Sequence, residues 1–463
     1  MNANHPETSA SARGRQVTLR SAAELADALP FVLGFHPTDS VVLVALHGEN
    51  GRFGGRIRLG IPRSSGEWDS TADHLAEVLV DMCAQRGTPP DGIVGFLCQD
   101  PGPGETAREV NERLRPFAQR LRTACGALDI PVYEVLCISG GRHFSYCCPH
   151  PACCPPEGTP LALGGTSVMA AAAAYAGIEV RGSLREMEAR FKPTGAPGDA
   201  QQRAALDAAA ADIVPRVVDG AEEEGRARLR ETTLALAARL LAGFAEPPRR
   251  IGADGARRGQ AAVDADDDAL VDSGDAAALI LGLQDRLVRD RLAEWMEGPE
   301  GVAAGRLWRV LARRCVTPYE EYAAAPLTLA GWAAWSTGDE PTARVALGLA
   351  IEADPEYVFA RLLHQACNEG LDPETLRSCL RQEREARTAA ERAAAAAARR
   401  TRTRTRPRGG RPGRPRPALP RAGTGTARRG RGTPGVRHAG RAAARPGSPA
   451  PRHGGRRGTR SGR

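Results

Sequence analysis

The stretch Ser40-Val-Val-Leu-Val-Ala-Leu46 decides the fold. It is apolar after its first residue and rich in β-branched side chains, with no polar alternation, which suits a strand buried on both faces. Turn residues at 47–55 (HGENGRFGG) separate it from Arg56-Ile-Arg-Leu-Gly-Ile61, so a hairpin is the natural connection. Upstream, residues 16–19 read as a short strand, and Ser21-Ala-Ala-Glu24 has capping-box spacing ahead of a short helix to Leu29. Downstream, Leu75, Val78, Leu79 and Met82 recur at helical spacing within 69–86, and Gly87 with Pro89-Pro90 closes that helix. Ile93-Val-Gly-Phe-Leu-Cys98 is a second buried strand. Val110, Leu114, Phe117, Leu121 and Cys125 stripe a long helix with Pro116 inside it, and residues 130–138 (IPVYEVLCI) make another strand. Buried strands alternating with helices predict an α/β fold, a mixed or parallel sheet flanked by helices.

Beyond a cysteine-rich loop at 147–156 the pattern changes. Residues 167–176 form an alanine-rich helix, Ser183-Leu-Arg-Glu186 is a second capping box, and from Gln201 the chain reads as mostly helical. Residues 247–268 (PPRRIGADGARRGQAAVDADDD) are charged and poor in apolar groups, and read as a linker or surface excursion; amphipathic helices follow at 275–295 and 302–315. Gly331, Gly338-Asp339, Ala343, Leu347, Ala350-Ile351 and Asp354-Pro355 resemble one tetratricopeptide-type hairpin, though Leu327 and Ala334 stand where that motif prefers large aromatics. A solenoid needs about three such repeats, so an ordinary helix pair is expected, with Trp332 and Trp335 in a core. The expected plan is a disordered 1–15, an α/β domain at 16–195, a helical connection at 196–246, a linker at 247–268, a helical domain at 269–398 and a disordered tail at 399–463.

Charge divides the chain. The tail, from Arg399 to Arg463, holds 21 arginines with no lysine and no acid; the whole chain carries +8, so the rest carries −13. Such a tail cannot bury enough apolar surface to fold. Its charge density gives salt-dependent, sequence-independent attraction to phosphate backbones, but it has no aromatic residue on which bases could stack. Non-specific nucleic-acid contact stands beside a simple solvated tail, and the composition also fits an out-of-frame reading of a GC-rich gene. The start is polar with no apolar core of a signal peptide, and no apolar stretch reaches the roughly 20 residues of a membrane span. A soluble, cytoplasmic protein is expected. Eleven cysteines then imply buried thiols in a reducing compartment, with Cys83, Cys98, Cys125, Cys137, Cys315, Cys367 and Cys379 in apolar or amphipathic runs.

The sharpest local pattern is Cys147-Cys148-Pro-His150-Pro-Ala-Cys153-Cys154-Pro-Pro. Zinc takes four sulfur or nitrogen ligands tetrahedrally, and Cys147, Cys148, His150, Cys153 and Cys154 offer them. Adjacent cysteines do not easily share one ion, and a single segment rich in proline is a stiff host. Loop packing therefore outweighs zinc, and zinc a vicinal or Cys-x5-Cys disulfide; Arg142 and His143 are the basic neighbours that could activate a thiolate. His36, Asp39 and Ser40 invite a Ser-His-Asp reading, but they precede a strand in a turn rather than following one on an elbow. A polar pocket rim at the strand ends, built from His36, Asp39, Ser40, Gln99, Arg142 and Glu157, is the functional alternative. Gln99-Asp-Pro-Gly-Pro-Gly104 sits where an anion loop would, yet lacks lysine and opens its helix with an acid. Fingerprints of P-loop hydrolases, dinucleotide binders and zincins are absent.

Leu33-Gly-Phe-His-Pro-Thr-Asp-Ser40, residues 142–160 with their cysteines and Pro155-Pro-Glu-Gly-Thr-Pro160, and the helical stretch ending near Leu376 resemble the bacterial domain-of-unknown-function family 4192. The resemblance runs over about residues 16–381. It implies no catalytic role for any residue. Two readings of function follow: a non-enzymatic interaction or regulatory protein whose helical half meets a protein partner, or a small-molecule binder or enzyme with its pocket at the strand ends.

Overall fold

A computed structural model describes residues 19 and 21–404, apart from 162–166, 176, 178–179, 196–197, 219–222, 252–255 and 257. Met1–Ala395 forms one compact unit and Ala396–Arg463 another. In the first unit α1 (Ala22–Leu33) leads to β1 (Ser40–His47), β2 (Arg52–Gly60), α2 (Trp68–Gln85), β3 (Gly92–Cys98), α3 (Ala107–Ala127), β4 (Val132–Ser139), β5 (Arg142–Ser145) and β6 (Thr159–Pro160). Helices follow: α4 (Val168–Tyr175), α5 (Leu184–Ala189), α6 (Gly198–Val218), α7 (Glu223–Gly243), α8 (Gln260–Asp268), α9 (Ser273–Gly282), α10 (Arg286–Leu292), α11 (Gly298–Arg313), α12 (Ala324–Ser336), α13 (Glu340–Ala353), α14 (Val358–Asn368) and α15 (Glu374–Arg404).

The sheet is mixed, in the order β2-β1-β3-β4-β5-β6. β1 is antiparallel to β2 and β3, β3 and β4 are parallel around the α3 crossover, and β5 and β6 continue antiparallel. Alternation along the strands feeds two cores. Val41, Leu43, Leu97, Val135 and Cys137 pack with Leu75 and Leu79 of α2 and with Val110, Leu114, Phe117 and Leu121 of α3. Val42, Val44, Phe96 and Leu136 belong to a second core that runs through Leu29, Leu184 and Leu206 to Trp308, Trp332 and Leu347. The helical half therefore shares a core with one face of the sheet. At Gly34, a left-handed cap with φ +85° that closes α1, an added Cβ would fall 2.3 Å from Cγ of Pro341 at the start of α13, so only glycine admits both the turn and the contact.

Several expectations change. The stretch 247–268 carries α8, and its Asp264 and Asp267 are buried rather than solvated. Asp264 accepts from Arg190, just past α5, at 3.0 Å, and α11 supplies the other partners: the Arg306 guanidinium donates to Asp267 at 2.6 Å and to the carbonyls of Phe244 and Glu246, and Arg313 donates to Asp268 at 2.7 Å and to the Arg190 carbonyl. The helix expected at 275–295 is two, because Asp285 accepts from the Leu287 amide and starts α10. Cys379 is exposed while the other six cysteines expected in apolar settings are buried. The α12–α13 hairpin is present, with Gly331 beneath Leu347, and Trp332 is 1% exposed and donates to the Ala293 carbonyl. α15 continues to Arg404, inside the stretch expected to be disordered. The strand expected at 16–19 lies outside the described residues except for Leu19, as do residues 1–15 and the tail beyond Arg404. Among the described residues no helix is long and apolar enough to cross a membrane.

Candidate metal centre and adjoining cleft

Strand register carries Ser40, Cys98, Ser139 and Arg142 to one end of the sheet, because Ser40 pairs with Cys98 and Ser139 with Arg142. Of the six residues expected to rim a pocket there, Gln99 and Asp39 meet through their side chains, and Arg142 reaches only the backbone of Glu157. Gln99 donates through Nε2 to Asp39 Oδ1 at 3.2 Å, and its Oε1 accepts from Arg113 at 2.9 Å. Asp39, in a left-handed conformation with φ 45°, also pairs with Arg185 at 2.6 Å. Sequence reasoning missed both arginines. Ser40 is buried, donates to the Thr38 carbonyl and accepts from Arg58. His36 uses its backbone to bridge Ser183. The Arg142 guanidinium donates to the carbonyls of Glu157 and Gly158, so it ties down the loop, and the Glu157 side chain is exposed. The Gly102 amide donates to Glu105, which fills the place an anion would take in the loop after β3.

The cysteine loop converges more tightly. Ser145, held by Glu134, accepts from the amides of Cys147 and Cys148, and the His150 carbonyl accepts from the amides of Cys153 and Cys154. These turns bring the sulfurs of Cys148, Cys153 and Cys154 within 4.8 Å of one another, with Cys148 and Cys153 at 3.0 Å. Tetrahedral zinc with bonds of about 2.3 Å sets its sulfurs roughly 3.8 Å apart, inside that spread. Of the five ligands expected, Cys147 and the His150 ring lie outside the group. Cys147 faces Glu134, and burial followed by that carboxylate pushes its thiol up. Cys148 is held below the ordinary thiol range by the hydrogen bond from Cys153, while burial and the neighbouring thiols push Cys154 up to about 12. Adjacent Cys153 and Cys154 do turn to one point, against the expectation that neighbours diverge, because the loop winds back on His150. The loop closes at Gly158, with φ +73°, where an added Cβ would fall 2.6 Å from the Phe144 ring, so no side chain fits without a shift.

Cys147, Cys148 and Cys154 line one wall of a cleft of about 370 Å³. The opposite wall is α3, where Arg108, Asn111, Glu112 and Arg115 stand at i, i+3, i+4 and i+7 and so share a face. β5 supplies His143 and Ser145, and the following Tyr146 donates to the Asn111 carbonyl at 2.8 Å, fastening sheet to helix. Asn111 and His143 are each 6% exposed, and among the described residues Asn111 Oδ1 and His143 Nδ1 have no hydrogen-bond partner. Buried polar atoms without partners are few in native proteins, and each asks for its own explanation. Asn111 had a readable trace in the sequence, as a polar side chain set between Val110 and Leu114 on a buried stripe.

The profile of a domain of unknown function (DUF4192) matches residues 23–374. No curated protein and no solved structure matches the chain. With most of its length covered by that profile, and the strands, cysteine loop and helical half all inside it, the chain belongs to the DUF4192 family.

Proposed function

We propose that this protein binds a thiophilic metal ion, zinc being the one its donors fit, through the thiolates of Cys148, Cys153 and Cys154 at the mouth of a small polar cleft. The observation that carries the reading is the convergence of three sulfurs within 4.8 Å. Three protein ligands leave a fourth position open, the arrangement by which zinc meets a small molecule rather than only bracing a fold. This favours the small-molecule reading, with the pocket beside the cysteine loop instead of around Asp39. A reducing, cytoplasmic setting belongs to the proposal, since these thiols must be free to ligate.

The test is metal content of the full chain, purified reduced. About one zinc per chain is expected, lost in Cys148→Ser, Cys153→Ser or Cys154→Ser and kept in Cys147→Ser and His150→Ala. A reduced chain that takes up no zinc, or loses it equally in Cys147→Ser, overturns the proposal. A thiol count short of eleven, restored by reductant, would assign the cluster to a disulfide.

A second reading, an interaction protein that meets a protein partner through its helical half, is favoured by α14. Val358 and Leu362, one turn apart, are 63% and 60% exposed, beside an open cleft that includes Ile351, His364 and Leu371. If so, Val358→Glu with Leu362→Glu should abolish a stoichiometric co-purifying protein without lowering the melting temperature. Loss of nothing in that variant removes this reading.

A further inference from the structure

We infer that Cys148 and Cys153 are a reversible oxidation site, joined as a disulfide by a hydroperoxide, and that their joining unloads the metal at the cysteine loop. The unloading rests on the metal reading above; the oxidation does not. The two sulfurs stand 3.0 Å apart, and a disulfide bond is about 2.05 Å long, so an approach of roughly 1 Å joins them. Oxidant can reach the pair, because Cys153 is exposed and Cys148 half-buried, whereas six of the other cysteines are buried. The backbone is already set for this pairing. Ser145 Oγ accepts from the Cys148 amide at 2.9 Å, and the His150 carbonyl accepts from the Cys153 amide at 3.2 Å and from its thiol at 3.4 Å. Pro149 and Pro151 stiffen the segment between them, so little chain entropy is left to lose on closure. A link between the adjacent Cys147 and Cys148, or Cys153 and Cys154, would have to distort the planar peptide that joins them.

The chemistry balances with a hydroperoxide as the oxidant. One sulfur of the pair attacks it, the O–O bond breaks, the alcohol or water leaves with the thiol proton, and that sulfur becomes a sulfenic acid. The second sulfur then displaces the hydroxyl, which leaves as water with the second thiol proton, and the S–S bond forms. Two thiols and one hydroperoxide thus give one disulfide, one water and one alcohol, or a second water where the oxidant is hydrogen peroxide. The two electrons lost by the sulfurs reduce the peroxide, and a dithiol reductant reverses the bond by exchange. Zinc is held by thiolates, so the disulfide withdraws two of its three ligands at once and leaves Cys154 alone. Linkage runs the other way as well: an ion that holds both sulfurs opposes their oxidation.

The test is treatment of the reduced full chain with equimolar hydrogen peroxide, metal-free and zinc-loaded, read by thiol count, peptide mass mapping and a colorimetric chelator for released zinc. In the metal-free chain two of the eleven thiols should be lost, with Cys148 linked to Cys153, Cys147 and Cys154 still open to alkylation, and dithiothreitol restoring all eleven. In the zinc-loaded chain the same link should release the metal, and saturating zinc should slow the linkage about tenfold or more. Cys153→Ser should form no disulfide and leave a sulfenic acid on Cys148 that dimedone traps. A link through Cys147 or Cys154, or a count that stays at eleven, overturns the oxidation site, and both are read on the unaltered chain whatever a variant does to folding. Zinc kept after Cys148 and Cys153 are linked overturns the unloading. Cys154→Ser tells the two readings apart, since it should lose zinc yet still form the disulfide. A chain that takes up no zinc but forms the disulfide removes the metal reading, and the unloading with it, and upholds the oxidation site.

Discussion

Two parts of the molecule bury polar side chains, and they do so in opposite ways. Between α8 and α11, Arg306 and Asp267 are 6% and 2% exposed, and the guanidinium is shared between the carboxylate and two backbone carbonyls at the end of α7. On the wall between α3 and β5, Asn111 and His143 are similarly buried but carry atoms without a hydrogen-bond partner among the described residues. The first arrangement, the Arg306–Asp267 pair, is closed on itself and holds helices together, although Arg309 Nε on the same helix has no hydrogen-bond partner among the described residues. The second is incomplete and borders a cleft. Buried polarity that is fully partnered is architecture, whereas buried polarity left unpaired carries a cost that the fold bears for another reason.

Mutation should separate the two. The largest effect is expected at the closed site: Asp267→Ala leaves the Arg306 charge buried without its partner and should lower stability by about 3–5 kcal/mol, read as a shift in the denaturant midpoint. At the open site the sign reverses. Asn111→Leu removes an unsatisfied oxygen and should raise the stability of the ligand-free chain by about 1 kcal/mol. If Asn111→Leu instead costs as much as Asp267→Ala, the contrast between closed and open polarity is broken.

Acid gives a finer test. Burial holds His143 below its ordinary range, so the folded state keeps a neutral ring while the unfolded chain takes a proton near pH 6.5. The stability this neutral ring leaves intact is present above about pH 6.5 and falls as the solution is acidified, because protons then favour the unfolded chain. His143→Phe should flatten the decline between about pH 7.5 and about pH 5. It should not abolish it, since burial, then Arg344 and Arg58, lower His364 as well. A slope unchanged by His143→Phe would mean that the ring finds a proton-accepting partner and that the site is not open.

The smallest effect on the fold belongs to the arginine tail. Removing residues 399–463 should change stability by no more than about 0.5 kcal/mol while eliminating salt-sensitive binding to duplex DNA at low ionic strength. Retained DNA binding in the truncated chain would deny the tail that role.

The strands were legible because Val41 to Leu46 and Ile93 to Cys98 leave no polar alternation to misread. Helix α3 was legible because its buried stripe keeps strict spacing. What escaped was long-range pairing. Residues 260–268 read as solvated because four aspartates in nine residues are polar in isolation; Arg190, over seventy positions earlier, and Arg306 of α11, some forty positions later, are what let Asp264 and Asp267 lie inside. The candidate site was half legible for the same reason. The cysteines announced themselves, but which three would converge depended on Ser145 and the His150 carbonyl, and Asn111 and His143 lie on elements that meet only in the folded sheet. Arg113 and Arg185 were missed around Asp39 because an arginine on an exposed helix has no distinguishing pattern.

The single core that joins Val42, Val44 and Phe96 to Trp332, Leu347 and Leu363 also sets a timetable. A ribosome finishes the sheet by Pro160, yet the side chains that complete this core come up to two hundred positions later. At about 5–20 residues per second the strands wait on the order of tens of seconds with that apolar face incompletely covered. Truncation or stalling within the helical half would leave a finished sheet with one unprotected side, the kind of nascent chain that holdase chaperones bind.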